Sequence, residues 1–134
     1  MRIEEHVKAY EEHVRNIKRL IDEGLEENQR NVGYNVSQGS IELFAILLHR
    51  KNLIQGSGEQ FDHRIFKSKS LIEKKIPIEF PERKKILELM NTIELERNSV
   101  CYGKRKRREE IEGMIKRFNQ LREVINNLLR KNEP

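Results

Sequence analysis

A single cysteine (Cys101), no tryptophan, three prolines and no long apolar run bound what this 134-residue chain can be. One thiol cannot close an intrachain disulfide, so a disulfide scaffold is excluded and a reducing compartment is expected. The longest uninterrupted apolar stretch, residues 43–48, falls far short of the ~20 residues that a membrane span needs. The opening MRIEEHVKAYEEHV is charged and already periodic, unlike a secretory signal or a transit peptide. A soluble, cytoplasmic protein with no membrane partner is the expectation. Familiar catalytic signatures are missing as well. His6, His13, His49 and His63 lack metal-site spacing, and there is neither a glycine-rich phosphate loop nor a nucleophile elbow. His6 and His13, two helical turns apart, read as exposed surface residues.

Charge is what the chain has in excess. Charged residues make up 37% and hydrophobic residues 36%, a balance suited to long amphipathic helices that expose most of their circumference. The length fits one domain spanning 1–134 with a single core.

The first segment places Ile3, Val7, Tyr10, Val14, Ile17, Ile21 and Leu25 at alternating steps of four and three, the seam of a helix about 35–40 Å long. Gly33 and the polar residues 28–31 are expected to break it. A second helix follows from Val36, Ser40, Leu43, Phe44, Leu47 and Leu48, with Ile41, Ala45 and Ile46 widening its apolar arc, so it should lie at the centre of the bundle. Its small-residue entry, GYNVSQGS, reads equally as a close helix approach or as ordinary turn and cap residues.

Ser57 and Gln60 have capping-box spacing after a loop at 55–58, which predicts a third helix burying Phe61, Ile65 and Ile72. The segment IPIEFP is expected to be an extended connector, with Pro81 at the first position of a fourth helix. That helix carries Ile86, Met90, Ile93, Arg97 and Val100 along its seam and stops at Gly103. Ile111, Met114, Phe118, Leu121, Ile125 and Leu128 mark the last helix. The predicted class is all-α, an antiparallel up-and-down bundle of four to five helices, with a long coiled-coil dimer as the weaker alternative.

Arg97 falls where the seam calls for an apolar side chain. A buried guanidinium must be paired or must face a groove, because an unpaired buried charge is costly. From residue 97 to residue 108 there are six basic residues, Arg97, Lys104, Arg105, Lys106, Arg107 and Arg108, and no acid. Setting those six aside leaves 21 basic residues against 22 acidic ones, so the net charge of +5 is concentrated here. Glu94, Arg97, Asn98 and Tyr102 form the adjoining polar constellation. Arg97 offers a planar fork for phosphate, Asn98 a neutral donor and acceptor, and Tyr102 a phenol that can hydrogen-bond or stack. Two readings of Arg97 stand side by side: Glu94 neutralises it within the bundle, or it meets an anion from outside. The basic run likewise reads as a solvated helix end or as a phosphate-attracting patch.

Arg97-Asn98-Ser99-Val100-Cys101-Tyr102, late in a helix of a small all-helical chain, resembles the R-N-x-x-x-H motif of the HEPN superfamily of nucleotide-binding domains. The stretch VSQGSIEL at 36–43 is similar to the second helix of those domains, and His63-Arg64 to a further segment. The resemblance implies a homodimer with two motif copies in a cleft. It also implies RNA or nucleotide as ligand, and either metal-independent endoribonuclease action of the toxin or defence type or a non-catalytic module. The partner of such a module would be a nucleotidyltransferase or another toxin-antitoxin component. In the nuclease form, Arg97 would stabilise the charge of the scissile phosphate, Asn98 would orient the motif, the RNA 2′-hydroxyl would attack, and no cofactor would be needed. The sequence departs from the motif at its last position, where histidine is replaced by Tyr102, whose phenol is the poorer general base near neutral pH. Cleavage by Tyr102 and binding without cleavage both remain open expectations.

Overall fold

The computed structural model describes residues 2–54 and 61–131. Five α-helices and one 3₁₀ turn make up the regular structure among these residues, and no strand occurs there. The helices are α1 (Ile3–Glu23), α2 (Gln29–Arg50), α3 (Lys69–Lys75), α4 (Arg83–Tyr102) and α5 (Arg108–Arg130), with the 3₁₀ turn at His63–Phe66. The four long helices run up, down, up and down, as the periodicity predicts. Gln29, at the start of α2, bonds to Val100 near the end of α4, and Lys51, just past the end of α2, bonds to Leu128 near the end of α5.

The central helix is α2, which packs against α1, α4 and α5. Two of its glycines explain how it fits. A Cβ on Gly33 would lie 2.7 Å from Cys101 Sγ, and one on Gly39 would lie 3.3 Å from His13 Cβ and 3.2 Å from Phe118. The small-residue entry therefore serves close approach, and Gly33 lies inside α2 rather than breaking the chain. The actual break is at Gly24, whose φ of +124° suits a residue without a Cβ, so α1 ends before Leu25 and is about 32 Å long. Leu20 is buried in place of Ile21, which is 40% exposed.

The expected third helix is replaced by two short pieces. The capping box at Ser57 and Gln60 lies outside the described residues. Within them, Asp62 accepts a hydrogen bond from Arg64 N to open the 3₁₀ turn, and Ser68 accepts one from Leu71 N to cap α3. Phe61, Phe66 and Phe80 all pack their rings against Phe44 of α2, which docks this crossover on the core. The segment 76–80 is non-helical, as expected, and Arg83 holds it by donating to the carbonyls of Ile76 and Ile78. Pro81 sits in the preceding turn, because Glu82 adopts a left-handed conformation and α4 starts at Arg83. No helix among the described residues is long and apolar enough to cross a membrane.

Candidate functional site

On α4 the side chains of Glu94, Arg97 and Cys101 turn inward, each less than a tenth exposed. Asn98 and Tyr102 face outward, Tyr102 being 70% exposed. At about 100° per residue, Arg97 and Tyr102 diverge by roughly 140° around the helix, and no hydrogen bond joins Arg97, Asn98 and Tyr102 among the described residues. The fold thus separates the constellation into one buried cation and two surface groups.

Arg97 forms no salt bridge with Glu94. Its Nε and Nη1 atoms are sealed from solvent and neither has a hydrogen-bond partner among the described residues. Its nearest aromatic neighbour is Tyr34 of α2, whose ring centroid lies 5.9 Å from Cζ. Close approach of α2 and α4 at Gly33 brings the next residue, Tyr34, to this position. Tyr34 is itself 48% exposed and meets the edge of His13 on α1.

Glu94 instead holds His63, with both carboxylate oxygens about 3 Å from His63 Nδ1. Burial pushes the Glu94 carboxyl above its ordinary range, and the His63 hydrogen bond and the Arg97 charge only partly oppose this. Burial likewise raises the Cys101 thiol, again against the pull of Arg97. His63 stands on a firmly fixed turn. Asn91 of α4 donates to the Phe66 carbonyl at 2.7 Å, and Asp62 and Arg64 pair at 3.0 Å, which lowers the Asp62 carboxyl. The sequence alone did not reveal the His63–Glu94 pair, since 31 positions separate its members; Asp62, a turn-opening residue before His63, was the one local signal.

The basic turn is fastened to α2. Gln29 donates through Nε2 to the carbonyls of Val100 and Lys104, and its Oε1 accepts from Lys106 N at 2.7 Å. Gly103 permits the turn, because a Cβ there would stand 2.6 Å from the Ser99 carbonyl oxygen. Arg105 donates to the carbonyl of Glu26, while Arg107 and Arg108 pair with Glu110 and Glu112. Lys104 and Lys106 have no ion pair among the described residues. An open cleft of about 460 Å³ lies alongside, lined by Glu27, Gln29, Arg30 and Arg105.

The other histidines correct an expectation. His6 is buried and pairs with Glu42, because α2 covers that side of α1. His13 is half-buried and bonds to Asn35, which also accepts from Asn16. Among the described residues no group of three or more His, Cys, Asp or Glu side chains could hold a metal ion. Comparison with family models, with curated proteins and with solved structures finds no match.

Proposed function

We propose that this chain is an RNA-binding helical bundle of the HEPN type, in which Arg97 receives a phosphate of the ligand. One observation carries the reading: a guanidinium buried to 7% exposure whose sealed Nε and Nη1 have no partner among the described residues, so its charge is left for an anion to meet at the part of the side chain that stays exposed. Burying a cation unpaired works against stability, and an anion brought by a ligand would offset that cost. Tyr34 beside it offers an exposed ring on which a base can stack, and Lys104 and Lys106 add unpaired charge nearby in sequence. Leu95, 52% exposed, and Tyr102 lie seven residues apart on the outward side of α4, and this stripe favours a homodimer formed through that face.

Fluorescence anisotropy with a short single-stranded RNA tests the reading. Arg97→Ala should weaken binding at least tenfold at ~100 mM salt, and equal binding by both proteins would refute it.

A second reading has an observation in its favour. Tyr102 points away from Arg97, so a phenol at that position does not serve a phosphate held by the same subunit. A non-catalytic module that presents Leu95 and Tyr102 to a nucleotidyltransferase or another toxin-antitoxin component would use that stripe for the partner instead. A copurifying partner lost on Leu95→Asp, with RNA binding absent, would favour this alternative.

A further inference from the structure

We propose that the groove between α1 and α5 receives an amphipathic helix of another protein, one whose apolar side is flanked by glutamates or aspartates. α1 packs chiefly on α2, whereas α5 packs on α2 and α4, and a groove of about 220 Å³ is left between α1 and α5. Its floor is Ile17, Ile115 and Phe118, each less than a tenth exposed, and its edge on α1 is Val14 and Ile21, the latter 40% exposed. An apolar cavity of ~150 Å³ holds a benzene molecule, so this groove admits one large aliphatic or aromatic side chain.

The apolar surface continues past the groove along α1. Val7, Val14 and Ile21 stand seven residues apart and are all at least partly exposed, a stripe about 21 Å long at 1.5 Å per residue. A compact molecule would cover only part of it. A helix, with anchors that recur every third or fourth residue, would cover the whole.

Charge at the rim sets the flanks of that helix. Lys18 of α1 and Arg122 of α5 line the groove from opposite sides, and no acid lines it. Neither cation has an acid partner among the described residues. Arg122 is held in place: its Nε donates to the Tyr10 hydroxyl at 2.8 Å, its Nη1 donates to Asn119 Oδ1 at 3.2 Å, and its Cζ lies 5.6 Å from the Phe118 ring centroid. A carboxylate on either flank of the incoming helix therefore meets a cation. The net charge of +5 draws an acidic partner and repels a second copy. A second copy would also bring the wrong sign to the rim, since Tyr34 lies beside Arg97, and Leu95 and Tyr102 lead into the basic turn. This surface is separate from the Leu95 and Tyr102 stripe and uses none of the residues assigned to RNA.

The full chain is titrated into a fluorescein-labelled amphipathic peptide of about 18 residues, with leucines on one side of its helix and glutamates flanking them, and anisotropy is read. A twin peptide carries lysines in place of the glutamates. Wild type should bind the glutamate peptide at least about tenfold more tightly than the lysine peptide at ~100 mM salt. Ile21→Glu should weaken that binding at least about tenfold, by setting a charge on the apolar edge. Lys18→Glu should bring the two peptides within about threefold of each other. It should also bind the lysine peptide more tightly than wild type does, a gain that reports an intact fold. Binding of neither peptide by wild type at about 100 μM protein, or equal binding of both, overturns the proposal. So does a wild-type dimer in light scattering that Ile21→Glu returns to monomer, which would assign the groove to a second copy.

Discussion

Glu94 turns its carboxylate to His63, 31 positions earlier in the chain, and leaves Arg97, one turn further along the same helix, with no acid partner among the described residues. Two ionisable groups of opposite sign share a buried face and do not pair with each other. Much of what this protein can be asked experimentally follows from that choice of partner.

Arg97→Met should raise the stability of the isolated protein, by about 1–3 kcal/mol, because an apolar side chain of similar reach replaces an unpaired buried cation. The lost contact with Tyr34 offsets only about 0.5–1 kcal/mol of this. Urea denaturation checks the sign. A clear loss of stability would mean that Arg97 is satisfied inside the fold.

The Glu94 carboxyl is raised in the folded chain, so the native state holds its proton more tightly than the unfolded state does. Its contribution is most favourable below the unfolded value of 4.5 and is lost as pH rises through the folded one. Glu94→Gln removes that titration. Relative to wild type, the variant should therefore gain stability as pH climbs from about 4.5 toward neutrality, read from denaturation midpoints at several pH values.

Gly33→Ala should destabilise by about 1–3 kcal/mol, since the new methyl would stand 2.7 Å from the buried Cys101 sulfur. Removing that sulfur with Cys101→Ala should recover part of the loss. A double-mutant cycle in urea measures the coupling, and strict additivity would show that α2 and α4 relax apart freely.

Gln29→Leu leaves the Val100 and Lys104 carbonyls and the Lys106 amide without their shared partner. A cost of about 1–3 kcal/mol is expected, along with faster tryptic nicking at residues 104–108. Unchanged proteolysis would show that the turn is held by other contacts.

Within the turn, Lys104 and Lys106, which have no ion pair among the described residues, should dominate any phosphate contact. Neutralising both should reduce the slope of log affinity against log salt for single-stranded RNA by about 1.4, with a smaller change for Arg107 and Arg108, which already face Glu110 and Glu112.

The helices were legible in the sequence because a long apolar stripe leaves a strong period, and the inward position of Arg97 followed from the same count. The all-α, up-and-down arrangement and the central place of α2 could be read in this way. Local chemistry at the ends was harder. Gly33 looked like a break because a glycine that admits a neighbouring helix and one that ends its own helix are written alike; only the presence of Val100 and Cys101 opposite separates them. His6 read as exposed because its partner, Glu42, lies 36 positions away on another helix. The His63–Glu94 pair was hidden for the same reason, and spacing within α4 made Arg97 seem the natural mate of Glu94.

The turn that concentrates the chain's positive charge is keyed to an uncharged amide. Gln29 gives hydrogens to two carbonyl oxygens and receives one from Lys106 N, so its nitrogen and oxygen are not interchangeable. An acid of the same shape at that spot would set oxygen against oxygen. A negative charge placed there, which simple attraction would expect to gather the lysines and arginines, would unfasten them instead.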